Sequence, residues 1–304
     1  MVSRLDHYIQ KPFDLLLSSK AKKKGERAIL IIAIISFFIH LAIIFLVELG
    51  YIHFNNSSSL LNNPISAIYT PFSFILIYEV YLLLYYLPKS ITTYISKQYE
   101  IIALIIIRKT FKDLANLDLT SNWFQNNEDL LFTYDIITAL VLFLLIFFFY
   151  YCARKNTSTA SQLPIRIQKF VSYKRFIATL LVPIIILLAT YTVGHWFYDV
   201  VFQEGTSGLS KDINQIFFDD FFEVMILLDI VLLLLSLFYT DKFHKVVRNS
   251  GFVISTILIR ISFSVEGLTK NLLIIAAVAI GLVTLIIHNL FEYKLKPRII
   301  SEPD

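Results

Sequence analysis

Long apolar runs separated by short charged segments set the rhythm of this chain. Read in order, they predict spans near 27–48, 66–87, 99–117, 131–152, 175–198, 218–239, 251–266 and 271–291. Most reach roughly the 17–25 residues that a helix needs to cross the hydrocarbon core of a bilayer. The third and seventh carry charge in their middles and need a second criterion. Basic residues supply one. With eight spans, the N-terminal segment, the 88–98, 153–175 and 240–250 loops and the C-terminal segment share one side. That side holds Lys20, Lys22, Lys23, Lys24, Arg27, Lys89, Lys97, Arg154, Lys155, Lys169, Lys174, Arg175, Lys242, Lys245 and Arg248, among others. The opposite loops hold only Lys211 and Lys270, with Asp118, Glu128, Asp129, Asp199, Glu204 and Asp212. Lys and Arg concentrate on the cytoplasmic loops of membrane proteins, so both termini are expected in the cytoplasm. Dropping the two doubtful spans would carry the basic 153–175 loop outside. The expected fold class is an all-α integral membrane protein of eight transmembrane helices.

The polar positions inside these runs recur. FSFILIYEVYLLLYYLPKSITTYISKQYEIIALIIIRKTF, residues 72–111, is matched by FEVMILLDIVLLLLSLFYTDKFHKVVRNSGFVISTILIRISF, residues 222–263. Glu79 aligns with Asp229, and, after a two-residue insertion, Arg108 aligns with Arg260. Four spans per half give both halves one orientation, so the repeat is parallel, about an axis along the membrane normal. The expected organisation is a basic, amphipathic N-terminal segment at 1–26, a first four-helix repeat at 27–153 and a cytoplasmic linker at 154–174. A second repeat at 175–292 and a tail at 293–304 follow.

Composition agrees with the pattern. Apolar residues are 57% of the chain, with 27 Phe and 17 Tyr, against roughly 45–50% apolar in soluble domains. The net charge of +4 resides at span ends, where it marks orientation rather than affinity for nucleic acid. Tyr51, Tyr69, Trp196 and Tyr198 at span ends suit an interfacial aromatic belt. A single cysteine, Cys152, excludes an internal disulfide and a cysteine metal site. No cleavable leader is expected from the charged first 26 residues. Dinucleotide-binding, phosphate-loop, zinc-protease and serine-hydrolase motifs are absent, as is a His/Cys/Asp cluster with metal spacing. Neither an enzyme nor a cofactor is expected. Absence of a soluble enzyme domain fits a prokaryotic inner membrane.

Ionisable groups within membrane spans are costly to place and are functional candidates by default. Glu79 lies 8 residues before the end of its span and Arg108 9 residues into the next, roughly 12–14 Å from the cytoplasmic boundary. Asp229 and Arg260 come to comparable depths, roughly 15 and 14 Å. Each hairpin is therefore expected to bring its acid and its arginine to one level, where a guanidinium fork suits a buried carboxylate. Such pairs serve either as internal clasps or as stations along an ion path. Lys109 and Lys112 beside Arg108 make the first half richer in charge. His40 and His288 are secondary candidates, because histidine carries protons at physiological pH. Asp219, Asp220 and Glu223 form an acidic entrance that could gather cations at an outer mouth. Asp135 and Glu48, near the outer boundary, are expected to be solvated.

Gly281 alone among the glycines lies well within a span, and Pro71 and Pro183 are candidate kinks. Carrier sites usually occupy unwound, Gly-interrupted helices, so this scarcity argues for simple packed bundles. Each half resembles a voltage-sensor module in layout, with four helices, cytoplasmic ends and an acid on the second. The resemblance stops there, since TYDIITALVLFLLIFFFYY and LLIIAAVAIGLVTLIIHNLF carry no arginine ladder. Passage of a small cation or proton along the bundle is the expected function. The alternative is a non-catalytic membrane subunit that docks a partner. Expected partners are the bilayer, anionic lipid at the Lys20–Arg27 cluster, and a second copy or a membrane protein.

Overall fold

A computed structural model describes residues 10–51, 64–114, 127–154, 165–202, 213–239 and 242–295. The described residues are almost entirely helical and contain no strand. Eight long helices follow one another: α1 (Ser19–Glu48), α2 (Tyr69–Tyr86), α3 (Ile91–Leu114), α4 (Asn127–Arg154), α5 (Ile165–Phe202), α6 (Ile213–Tyr239), α7 (Phe243–Phe263) and α8 (Gly267–Leu295). A short helical segment at 10–16 precedes α1, and a 3₁₀ turn at Pro64–Ile68 leads into α2.

Local chemistry sets several helix ends. Ser18 caps α1 by accepting from the Ala21 amide at 3.1 Å, the usual role of a hydroxyl at that position. Ser90 does the same for α3, accepting from the Thr93 amide at 3.1 Å. At the far end of α1 the chain leaves through Gly50, whose φ of 77° falls in the left-handed region open to glycine. Gly267, with φ 67°, reverses the chain between α7 and α8.

Helices α3 and α7 begin at Ile91 and Phe243, eight residues ahead of the spans expected to start at 99 and 251. Stretches such as SKQYE are too polar for lipid but are sound helix formers, so the helix continues where hydropathy stops. The linker expected at 154–174 is likewise shortened, because residues 165–174 form the first turns of α5. Pro183 lies on an exposed face of α5, which continues through it.

Contacts along the chain close seven helices into a ring. α2 packs on α3, α3 on α4, α4 on α8, α8 on α7, α7 on α6, α6 on α5 and α5 back on α2, with α1 laid against α2. Successive helices alternate in direction. Lys22 reaches Tyr86, Lys174 reaches Lys89, Asn249 reaches Ser236 and Asn289 reaches Cys152, which gathers one end of every helix. That end is the basic one.

The centre is a stack of rings from three helices. Tyr99 meets Phe149 edge-on at 5.1 Å between centroids, and Phe149 meets Phe252 at 5.8 Å. Small residues line the α7–α8 contact. Gly251 and Ser255 of α7 oppose Thr284 and Ala277 of α8, and a Cβ on Gly251 would sit 2.5 Å from Thr284 Oγ1. Small residues at four-residue spacing let helix backbones approach in this way. Gly281 is a packing glycine as well, facing the Tyr99 hydroxyl directly.

The exterior is apolar. Leu30, Ile34, Phe38, Leu140, Phe147 and Leu187 are among many large hydrophobic side chains turned outward. Five helical stretches are long and apolar enough to cross a membrane: Gln10–Glu48, Asp129–Arg154, Gln168–Leu188, Phe243–Phe263 and Gly267–Lys294. One of the two doubtful spans, the seventh, is among them. The shorter apolar helix Thr70–Tyr86 adds to the set.

Candidate functional site

Asp229 lies on α6 within a run of leucines, and its side chain is 4% exposed. Leucine on either side leaves no water around that helix, so the carboxylate must find its partners within the protein. They come from other elements. Gln98 of α3 donates from Nε2 to Asp229 Oδ2 at 3.0 Å. Gln98 Oε1 in turn accepts from Thr256 Oγ1 of α7 at 3.2 Å. The countercharge set near Asp229 is Lys174 of α5, 2% exposed, whose Nζ also donates to the Lys89 carbonyl at 3.1 Å. Helices α3, α5, α6 and α7 thus converge on one acid.

A cavity of about 20 Å³ opens beside it, bounded on its polar side by Tyr94, Lys174, Asp229 and Asn249. The buried Tyr94 hydroxyl sits beside the Asp229 carboxylate and Gln98 and lines the same cavity. Room for roughly one water, with several polar groups to hold it, is what an internal hydration site requires. Polar contacts continue from this cavity to the basic end. Asn249 Oδ1 accepts from Arg248 Nε at 3.2 Å and from its Nη2 at 3.0 Å. Arg248 Nη1 lies 3.1 Å from His288 Nε2, and His288 stacks on His244 with Glu292 3.6 Å away. His288 is thus an inner member of a polar cluster on α7 and α8.

The first-half acid is arranged differently. Glu79 on α2 is buried, and Arg108 of α3, also buried, is the charge set against it. Arg108 Nη1 donates to the Phe72 carbonyl at 3.3 Å. The hairpin α2–α3 therefore sets Glu79 and Arg108 within electrostatic reach of each other. The second hairpin does not repeat the arrangement. Arg260 lies in the last turn of α7, one turn beyond Thr256, and Asp229 is met by Gln98 and Lys174 instead.

Lys109 does not add to the Glu79 site. Its Nζ lies 2.7 Å from Asp135 of α4 and 3.8 Å from Asp113. Asn271 of α8 donates to the other Asp135 oxygen at 2.6 Å. Asp135 was expected to be solvated; it is buried, because three helices close over it. Glu48 is exposed, as expected. Asp129, at the start of α4, is fully buried with neither carboxylate oxygen hydrogen-bonded. His40 meets Thr70 at 2.5 Å, tying α1 to α2. Of the acidic entrance, Glu223 is exposed, while the side chains of Asp219, Asp220 and Lys112 lie outside the described residues. Among the described residues no group of three or more His, Cys, Asp or Glu could hold a metal ion. Cys152 is half-buried and free.

Protein-family models, curated proteins and solved structures return no match to this chain.

Sequence reasoning singled out Asp229 but not Tyr94, Gln98, Lys174, Asn249 or Thr256. A signal was present for four of them. Tyr94 and Gln98 are four apart, and Asn249 and Thr256 seven apart, so each pair shares one helical face. Lys174 carried no such signal, since it sits among the basic residues of a loop that proved partly helical.

Proposed function

We propose that this is an integral membrane protein of eight transmembrane helices, built as two parallel four-helix repeats, that passes protons along its interior. The apolar exterior and the five helices long enough to span support the membrane reading. Gathering of the basic residues at one end supports cytoplasmic termini in a cell membrane, a prokaryotic inner membrane being the best fit. In both halves the first helix packs on the second, the second on the third and the third on the fourth, as a duplication requires. The activity is transport, not catalysis.

The observation that carries the reading is Asp229: a buried carboxylate on a water-sized cavity that Tyr94, Lys174 and Asn249 also line. Protons suit this site better than metal cations. A space of about 20 Å³ holds roughly one water, whereas a hard cation such as calcium needs about six to eight oxygen ligands. Lys174 nearby would also repel one. Glu79, buried in the other half, is the second station, with Arg108 and Lys174 as the respective countercharges. The bond from Lys174 to the Lys89 carbonyl favours a second reading, in which the site clasps α5 to the α2–α3 turn of a subunit that docks a partner.

Flux decides between them. Purified protein in liposomes should collapse an imposed pH gradient when a potassium–valinomycin potential is applied. A Glu79→Gln/Asp229→Asn variant of equal helicity and melting temperature should not. Absence of flux from well-folded protein at either polarity would overturn the transport reading.

A further inference from the structure

At the basic end a second, larger cavity of about 390 Å³ lies between the segment at 10–16, the α2–α3 turn and the start of α5. Its walls differ in chemistry. Lys89 and Arg175 supply two cations, Ser18 and Ser19 two hydroxyls, and Asp14 a carboxylate at the rim. Phe13, Leu17, Pro88 and Val171 make the rest apolar. The cations are held by rings: Lys89 Nζ lies 5.3 Å from the Tyr85 centroid, and the Arg175 guanidinium 5.4 Å from that of Phe13. Cation–ring contacts of this kind leave N–H groups free to donate sideways. Ser18 Oγ accepts from the Ala21 amide, so its own proton is left for a ligand. Ser19 Oγ is 3.3 Å from the Tyr85 hydroxyl, and Lys22 lies over the same ring at 5.3 Å.

We infer that this cavity binds the headgroup of a membrane phospholipid. The phosphodiester accepts from Arg175, Lys89 and the two serines, the donor set that suits phosphate oxygens. Asp14 accepts from the hydroxyl or ammonium protons of the headgroup alcohol, which sets a preference for glycerol or ethanolamine over choline, since choline has no proton to donate. The acyl chains run onto the adjacent apolar surface, where Leu15, Phe176 and Leu180 are exposed. The lipid then seals the segment at 10–16 against the bundle. Sequence reasoning assigned lipid contact to the Lys20–Arg27 cluster; the built pocket lies beside it, on residues brought together from three separate stretches. The inference rests on the membrane reading alone and does not depend on proton passage.

Native mass spectrometry of the full chain in detergent, with phosphatidylglycerol, phosphatidylethanolamine or phosphatidylcholine added singly, tests it. Phosphatidylglycerol and phosphatidylethanolamine should be retained more tightly than phosphatidylcholine. Lys89→Gln/Arg175→Gln should weaken retention of both by about tenfold or more, the cost of losing charge-assisted hydrogen bonds. Asp14→Asn should reduce the margin over phosphatidylcholine without abolishing binding. Melting temperatures of the lipid-free variants guard against misfolding, and Ser19→Ala, which removes only a hydroxyl, gives a milder second variant that should also weaken retention. Equal retention of all three lipids, or retention unchanged in the Lys89/Arg175 variant, overturns the site. Protection of the protein by inorganic phosphate alone, to the degree given by lipid, would make the ligand a soluble phosphate and overturn the lipid assignment.

Discussion

Gln98 donates to Asp229 across 131 positions of sequence, and that single bond joins a helix of the first half to a helix of the second. It also fixes what the buried acid can tolerate. With Gln98 occupying one carboxylate oxygen and Lys174 providing charge, Asp229 is solvated by protein in place of water. Removing one member strands the other, which costs far more than removing both.

Lys174→Met should therefore destabilise the protein by about 1.5–3 kcal/mol, the worth of the charged hydrogen bond it gives the Lys89 carbonyl, with a further loss from the nearby Asp229 charge. Asp229→Asn should be milder, because an asparagine oxygen still accepts from Gln98 Nε2. The double variant should regain the part of the loss that comes from the Asp229 charge. Urea or SDS unfolding of the four proteins measures the coupling as a double-mutant cycle. Additive penalties would show that Lys174 and Asp229 act independently and would remove Lys174 from the site.

The α7–α8 and α3–α8 contacts give a second expectation. Tyr99 donates to Ser255 Oγ at 2.7 Å, and Ser255 donates onward to the Ala277 carbonyl at 2.6 Å, so the tyrosine is held in place against Gly281. A methyl at Gly281 would overlap the hydroxyl. Gly281→Ala should cost about 1–3 kcal/mol, as overpacked cores do. Tyr99→Phe in the same protein should return part of that, since the ring carbon beneath the hydroxyl remains close at 2.8 Å. A thermal melt of each variant is sufficient. An unchanged melting temperature for Gly281→Ala would mean that α8 can slide away from α3 at little cost.

How much of this was legible along the chain divides by distance in sequence. The helices were, because runs such as LLIIAAVAIGLVTLII declare burial or lipid without any partner. Asp229 and Glu79 were also legible, since an acid among leucines stands out against its own neighbours. Their surroundings were not equally so. Arg108 follows Glu79 by one hairpin and could be paired by counting residues. Gln98 reaches Asp229 from a helix far away in sequence and Lys174 from the first turns of α5, which read as a loop, and no local periodicity reports which faces will meet. Helix starts were hidden for a separate reason: hydropathy finds where lipid would begin, whereas α3 and α7 begin where Ser90 and Lys242 allow a helix to start. Gly281 was visible as an oddity, but its reason, the Tyr99 ring, belongs to another half of the chain.

Topology can be tested with the turns at opposite ends of the bundle. Ser90, between α2 and α3, and Ser264, after α7, are both exposed. If α3 and α7 each cross the membrane, these serines face opposite sides. In a Cys152→Ser background, Ser264→Cys should react with a membrane-impermeant maleimide on intact cells. Ser90→Cys should react only once the membrane is opened. Both helices carry buried or half-buried charge, so each is stable in the bilayer only when its polar face is turned to its neighbours. Labelling of both positions from the same side would leave α3 or α7 outside the membrane and would replace the eight-span reading with a shorter one.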